Sequence, residues 1–359
     1  MKIAQIVSLE ESVPPQSKNG LEFVVSWLTE ELVKRGHKVT LFAPANSKTK
    51  AKLVSIFPHG TVEIKKMVWG WRKGVFSEWN TAKAMSKQKE FDIIHTHTGT
   101  IFQFAPFINK PIIYTTHGPC SDGFRKKYLS QKKYQKYFKF ALEQYRKINY
   151  VNISQHQQND FLKCKKYYFK KHTTIHNGIP VEKFQFNNNP ENYLFYLGYI
   201  NQDKGADIAV RIAKKLKMKL ILAGGVYGQE KFFKEKIKPY LNKNIKYIGP
   251  VNFQEKVKLL KNATALLNPV AWHEPFGLVP VEAQACGTPV VAFNKGAMLE
   301  IIKHNKTGFV VENEKEMIDV VKNINKINRK DCREWVEKNF SVEKMVDEYE
   351  KLYKKLIKK

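Results

Sequence analysis

The chain is predicted to fold as two doubly wound α/β domains, each a parallel sheet flanked by helices. Three observations carry that expectation. The length of 359 residues suits about two domains, each large enough to bury its own core. Short apolar runs alternate with stretches whose apolar residues recur at helical spacing, in two successive series. Between the series, Lys183-Phe-Gln-Phe-Asn-Asn-Asn-Pro-Glu191 is polar and irregular, as a linker should be. The expected domains are 1–182 and 183–340, with a C-terminal helix, 341–359, packing back toward the first.

Ile3–Ser8 reads as the first buried strand. Gly20 precedes a predicted helix from Leu21 to Arg35, in which Leu21, Val24, Val25, Leu28, Leu32 and Val33 share a face and Gly36 provides the stop. Lys38–Ala43, Phe91–His95, Pro111–Thr116, Asn149–Ser154 and Thr173–His176 are further runs of strand length that complete the first sheet. The second series predicts strands at Tyr193–Leu197, Leu220–Ala223, Lys246–Ile248, 264–268 and Pro289–Ala292. Helices are predicted between them at 206–217, 230–240, 254–261 and 277–286. Gly296-Ala-Met-Leu-Glu300 and Lys306-Thr-Gly-Phe-Val310 read as glycine turns, and Val342 to Lys358 as a long final helix. Such alternation puts a ligand in the crevice at the strands' carboxyl ends.

Composition narrows the class. An apolar share of 43% suits a soluble globular protein, and no apolar run approaches the roughly 20 residues that span a bilayer. Met1–Leu9 is followed by Glu10 and Glu11 without a small-residue cleavage site, so it reads as a strand and not a signal peptide. Cys120, Cys164, Cys286 and Cys332 lie far apart, with no metal or redox spacing, which fits a reducing cytoplasm. The net charge of +29 is mostly lysine spread through both halves. It speaks to solubility and non-specific association, not to fold.

The densest chemistry is Glu274-Pro-Phe-Gly-Leu-Val-Pro-Val-Glu282. The run before it reads as a buried strand, and the run after it has helical spacing with Pro280 in the first turn, where proline is tolerated. Glu274 then sits at a strand's carboxyl end, while Phe276, Gly277 and Leu278 offer free backbone N–H groups at a helix N-terminus, an anion site. An ionised Glu only accepts hydrogen bonds, which suits hydroxyl-rich ligands and not phosphate itself. An acid, anion-binding amides and a second acid make a layout for a nucleotide sugar. Strand Tyr193–Leu197 runs into Gly198, Tyr199 and Lys204-Gly205, where a lysine just before a helix can reach a diphosphate. Ala223-Gly224-Gly225 and Ile248-Gly249-Pro250-Val251 end two more strands with turns where a ligand would lie.

In this order the motifs resemble the retaining glycosyltransferases of the GT-B fold, glycosyltransferase family 4, over nearly the whole chain. His176-Asn-Gly-Ile-Pro180 is similar to the Asn-Gly turn closing the family's first domain. Glu274 through Val291 resembles its glutamate motif almost letter for letter. Phe340-Ser341 with Met345, Tyr349 and Tyr353 resembles its C-terminal helix. The resemblance implies two Rossmann-like domains facing a cleft. It implies transfer of a hexose from a nucleotide-sugar donor, a UDP-sugar by preference, to a hydroxyl acceptor (a glycan, a lipid-linked or a small molecule) with retention of configuration.

Roles follow from the resemblance position by position. Glu274 would bind hydroxyls of the donor sugar and Glu282 those of the ribose, while Pro275, Phe276, Gly277, Leu278 and Val279 would meet the sugar and diphosphate through their backbone. Lys204 would neutralise the leaving diphosphate. Gly198 and Tyr199 would line the donor site, with Gly249 and Val251 near the base. In the first domain, Gly20 would bring amides close to the phosphates and His117 would face the sugar's reacting side. Glu274, His117 and Lys204 are the expected catalytic set. His95-Thr-His97 has the look of a metal pair but no acidic partner nearby in sequence, and reads as cleft lining on the acceptor side. No Asp-x-Asp occurs, so neither a metal nor a cofactor is expected, the nucleotide sugar being a substrate.

Two positions depart from the family pattern. Tyr199 stands where relatives commonly have arginine, and tyrosine lacks the bidentate, charged grip of a guanidinium on phosphate. Either Lys204 suffices, or another cation such as Lys295 contributes, or the leaving group differs. Lys18-Asn-Gly20-Leu-Glu22 stands where relatives tend to have Gly-Gly-Thr-Glu. The implied mechanism uses no covalent protein nucleophile; the departing phosphate oxygen assists an acceptor entering from the same face, and the site works by orientation and electrostatics. The alternatives are hydrolysis or epimerisation of a sugar nucleotide, and a non-catalytic carbohydrate- or polyanion-binding descendant.

Phe124–Lys147 holds nine Lys and Arg against one acid, interleaved with aromatics at helical spacing. It reads as a core-packing helix with a solvated lysine face. The alternative is an interfacial helix on an anionic membrane, helped by Trp69-Gly-Trp71-Arg-Lys73, with the protein peripheral at the inner membrane face. No nucleic-acid module is recognisable, so nucleic acid is not an expected partner.

Overall fold

The computed structural model describes residues 1–15, 20–64, 74–119, 143–165 and 171–358. Trp69 to Lys73, Lys18-Asn19 and most of the basic stretch Phe124–Lys147 lie outside the described residues. The chain divides into two compact units, Met1–Gly178 with Val342–Lys359, and Ile179–Ser341. Each is a Rossmann-like α/β fold around one parallel sheet.

The first unit has seven strands in the order β3-β2-β1-β4-β5-β6-β7. They are β1 Lys2–Ile6, β2 Lys38–Phe42, β3 Lys52–Val54, β4 Ile93–Thr96, β5 Ile112–Thr116, β6 Asn149–Asn152 and β7 His172–Thr174. Runs such as Ile93-Ile94 and Ile112-Ile113 are buried side by side, the mark of a parallel strand covered on both faces. Helix α1 is Gly20–Lys34, so Gly20 is its first residue and does not precede it. Sequence periodicity missed α2, Phe76–Ser86, because much of its buried side is polar. Asn80 Nδ2 donates to Val7 O and Phe42 O, both at 3.0 Å, tying the ends of β1 and β2. It also missed β3, too short to show a pattern. α3 is Gln155–Lys165. The C-terminal helix, Val342–Ile357, buries Val342, Met345, Val346, Tyr349 and Tyr353 at helical spacing and ties to α1 through Arg35 Nη1 to Asp347 Oδ1 at 2.6 Å.

The second unit has six strands in the order β10-β9-β8-β11-β12-β13. They are β8 Leu194–Leu197, β9 Leu220–Ala223, β10 Ile245–Tyr247, β11 Ala265–Asn268, β12 Val290–Phe293 and β13 Gly308–Val311. The helices are α4 Ala206–Leu216, α5 Phe253–Asn262, α6 Leu278–Ala285, α7 Glu314–Val321 and α8 Arg329–Asn339. Two expectations are corrected. Gly308 opens a strand and not a turn: at φ +154° it lies so close to β12 that a Cβ would meet Val290 O at 2.0 Å. The helix at 230–240 breaks into Glu230–Phe232, a wide π-type turn at Phe233–Ile237 and a tight 3-10 turn at Lys238–Tyr240, where Pro239 has no N–H to continue an α-helix. No described helix is long and apolar enough to cross a membrane.

Candidate active site

In the second unit the strand order reverses between β8 and β11. Connections from these two strands leave in opposite directions and open a crevice, the usual ligand position in an open α/β sheet. The segment after β8 carries Gly198, Tyr199 and Lys204; the segment after β11 carries Glu274. Local geometry locks the two together. Gly205, at φ +70°, lies where a Cβ would be 2.1 Å from Pro269 O, and Ala271 N donates to Asp203 O at 2.8 Å. The Lys204 backbone N–H is capped by Asn201 Oδ1 at 2.8 Å. Its ammonium then reaches Glu274 Oε2 at 2.6 Å and lies 4.7 Å from the Trp272 ring centroid.

Glu274 is also held from the other side. Gly296, after β12, sits at φ +65° with its Cα face on the Glu274 backbone, where a Cβ would be 2.1 Å from the carbonyl oxygen. Ala297 N donates to that oxygen at 3.0 Å. Phe276 turns inward, buried against Phe340 at 5.9 Å, and Gly277, at φ +109°, forms the N-cap of α6. The first N–H groups of α6, those of Leu278 and Val279, have no intrahelical acceptor by helix geometry; Pro275 can offer only its carbonyl. Glu282, four residues further into α6, is 3% exposed. Its Oε1 pairs with Lys256 Nζ at 2.5 Å, and that ammonium lies near the rings of Phe253 and Phe184.

Tyr199 is an exposed side chain, edge-on to Tyr227 at 5.5 Å. Gly224, just after β9, packs between strand ends: a Cβ there would be 1.8 Å from Gly198 O. Gly249, at φ +74°, has open space beside it and its carbonyl accepts from Gly224 N at 2.8 Å. Val251 follows as a partly buried residue, and Lys295 is likewise partly buried.

The first unit carries a separate cluster at the carboxyl ends of β4 and β5. His117, just after β5, is partly exposed, and its Nε2 lies 3.0 Å from His97 Nδ1. His97 Nε2 meets Gln5 Oε1 at 2.8 Å. His95 is corrected from cleft lining to core: it is fully buried, bonded through Nε2 to Thr115 Oγ1 and through Nδ1 to the Tyr353 hydroxyl, each at 2.7 Å. Burial pushes the His95 imidazole down to about 3 and that of His117 to about 4, and holds His97 well below its usual value. All three are neutral at pH 7. Gly20 opens α1, and in the same turn Glu22 is buried, which pushes its carboxyl up to about 8.

The family description "Glycosyltransferase Family 4" matches residues 18–183, and "Glycosyl transferases group 1" matches residues 179–342. The chain belongs to the GT-B glycosyltransferases of family 4 type. Two uncharacterized glycosyltransferases of Methanocaldococcus jannaschii are similar: one is 24% identical over 87% of this chain and 85% of its own length, the other 26% identical over 79% and 80%. The solved structure of Anabaena HepE, in complex with UDP and glucose, covers 99% of this chain and 100% of its own, with a TM-score of 0.72 at 18% identity.

Three residues escaped the sequence reading, one in the second unit's cluster and two in the first unit's. Lys256 neutralises Glu282 from another helix. Gln157 bridges the turn around His117, its Nε2 donating to Thr116 O at 3.1 Å and Gly118 O at 2.7 Å. Gln5 reaches the histidines from β1. Each acts across a long stretch of chain, and none carries a local signal. Gly296 was noticed as a turn, but its role as the platform under Glu274 depends on a contact between two loops.

Proposed function

We propose that this glycosyltransferase moves a hexose from a nucleotide-sugar donor, a UDP-sugar, to a hydroxyl acceptor, with retention and without a metal. The observation that carries the reading is the Lys204–Glu274 pair at the β8–β11 switch point. In this reading the carboxylate takes hydrogen bonds from sugar hydroxyls and the ammonium meets the diphosphate. The α6 amides of Leu278 and Val279 add fixed positive charge where negative charge grows on the leaving group. Lysine and amides together take the part that a cation would otherwise fill, and the sequence has no Asp-x-Asp. Glu274 therefore acts by positioning and not by proton transfer. UDP is favoured as the nucleotide because the similar HepE was solved with UDP and with UDP-glucose.

Thermal stability measured with UDP, GDP and ADP, each alone and as its hexose conjugate, tests the donor. At about 100 times its dissociation constant the right ligand adds about 2.7 kcal/mol. UDP and UDP-hexose should stabilise, and turnover, followed as nucleotide release, should persist in excess EDTA. The anomeric configuration of the glycosylated product, read by NMR, tests retention, while free or altered sugar as the product points to hydrolysis or epimerisation. Exposed Tyr199 in the arginine position favours a second reading, a non-catalytic binding protein. Stabilisation by no nucleotide would put that reading ahead.

A further inference from the structure

We infer that Gln5 and His97 are positioning residues, which hold His117 in the tautomer with its proton on Nε2 and so present a bare Nδ1 lone pair to a ligand hydroxyl. Gln5 is fully buried in β1. Among the described residues, one end of its amide has a single polar neighbour, His97 Nε2 at 2.8 Å. The other end faces two, His95 Nδ1 at 3.4 Å and the Tyr353 hydroxyl. An amide nitrogen carries two donors and its oxygen none. Turning the oxygen toward the pair would leave the NH2 with one partner and bury an N–H unpaired, the costlier arrangement. The oxygen therefore faces His97, whose Nε2 donates to it.

The rest follows by proton counting. A neutral imidazole has one N–H, so a His97 that donates through Nε2 accepts through Nδ1. The contact at 3.0 Å between that Nδ1 and His117 Nε2 then takes its proton from His117. Burial keeps His117 neutral as well, and its Nδ1 is left as an acceptor with no hydrogen bond to any described residue. The second branch is compatible: the Tyr353 hydroxyl, accepting from Gln5, donates to His95 Nδ1, which the second amide N–H shares only at 3.4 Å, and His95 Nε2 donates to Thr115 Oγ1. Gln157 fixes the backbone on both sides of His117, while the contact with His97 holds the ring and its tautomer. A neutral ring with an outward lone pair accepts from a hydroxyl and adds no positive charge against a phosphate. The ligand half of this inference rests on the reading of His117 as a ligand-facing residue; the tautomer half does not.

The test is nitrogen-15 NMR of the full chain labelled in histidine, with His117→Gln assigning the resonances. The ligand-free protein should show one tautomer at His117, Nε2 protonated and Nδ1 bare. Gln5→Met should give a mixture of tautomers at His117, and so should His97→Phe, which removes the acceptor that His117 Nε2 meets. An Nδ1–H tautomer in the wild type overturns the inference, as does a Gln5→Met spectrum unchanged from wild type. If Gln5→Met does not fold, His97→Phe decides: a single Nε2–H form at His117 unchanged from wild type overturns it. Saturation with UDP-glucose should then shift the Nδ1 resonance. An unmoved Nδ1 would overturn the ligand half alone, with the tautomer result standing.

Discussion

Glu274 and Lys204 form an ion pair at 2.6 Å. Lys204→Met removes a charge-assisted contact worth about 1.5–3 kcal/mol, and should weaken UDP binding by roughly 10- to 100-fold with little change in fold, as calorimetric titration would show. Lys256 behaves differently because its partner is buried. Lys256→Met leaves the Glu282 carboxylate unpaired and should destabilise the protein by about 3 kcal/mol in denaturant unfolding. The double variant Lys256→Met/Glu282→Leu should recover much of that loss. Recovery failing altogether would mean the two side chains act independently. Glu274, Glu282 and Lys204 could be read from the sequence because strand, turn and helix lie next to each other along the chain. Lys256, Gln5 and Gln157 could not, because a lysine or glutamine on an ordinary helix or strand shows no sign of a distant partner.

Among elements, the glycines separate packing from conformation. Gly224→Ala places a Cβ 1.8 Å from Gly198 O, with backbone on both sides, so strands β8 and β9 must part. Gly249→Ala meets nothing within 4 Å and suffers only the left-handed backbone strain, about 1–2 kcal/mol. Thermal melts should therefore rank Gly224→Ala as clearly the more damaging, and the reverse order would contradict the packing account. In α1, burial raises the Glu22 carboxyl, opposed by a hydrogen bond from its own backbone N–H and reinforced by Glu11 and Glu10. The folded value, about 8, lies above the ordinary 4.5, so the folded state keeps a proton that the unfolded chain releases. Its contribution to stability is whole below pH 4.5 and is lost as pH rises through about 8. Glu22→Gln should gain stability relative to wild type steadily between pH 5 and 8; a constant difference would show that Glu22 is ionised throughout. The buried parallel strands were legible as apolar runs, while α2 and β3 were not. The first hides polar anchors such as Asn80 on its inner face, and the second is three residues long.

For the whole molecule, pH acts most strongly on the first unit. His95, His97 and His117 are held neutral by burial, with folded values depressed below 6.5. The stability they confer is present above pH 6.5 and is lost as pH falls from there toward 3–4, because the unfolded chain takes up protons first. Between pH 6.5 and 5 most carboxylates have yet to titrate, and Glu22 works in the opposite direction, so a falling melting temperature in that window reports the histidines. His97→Gln/His117→Gln should flatten it. The two-unit architecture was legible as a whole, since two strand–helix series survive any error in element ends; the polar stretch Lys183–Glu191, expected as the linker, lies inside the second unit and buries Phe184. The histidine cluster was legible only as scattered members, because β1, β4, β5 and the C-terminal helix meet there solely through the fold. In the proposed function, Glu274 recognises the donor's sugar while Lys204 meets its diphosphate. Calorimetric titration of UDP and UDP-glucose into wild type and Glu274→Ala separates the two roles. UDP-glucose should bind more tightly than UDP to wild type, and Glu274→Ala should erase this advantage while keeping its affinity for UDP. A sugar advantage that survives in Glu274→Ala would contradict it.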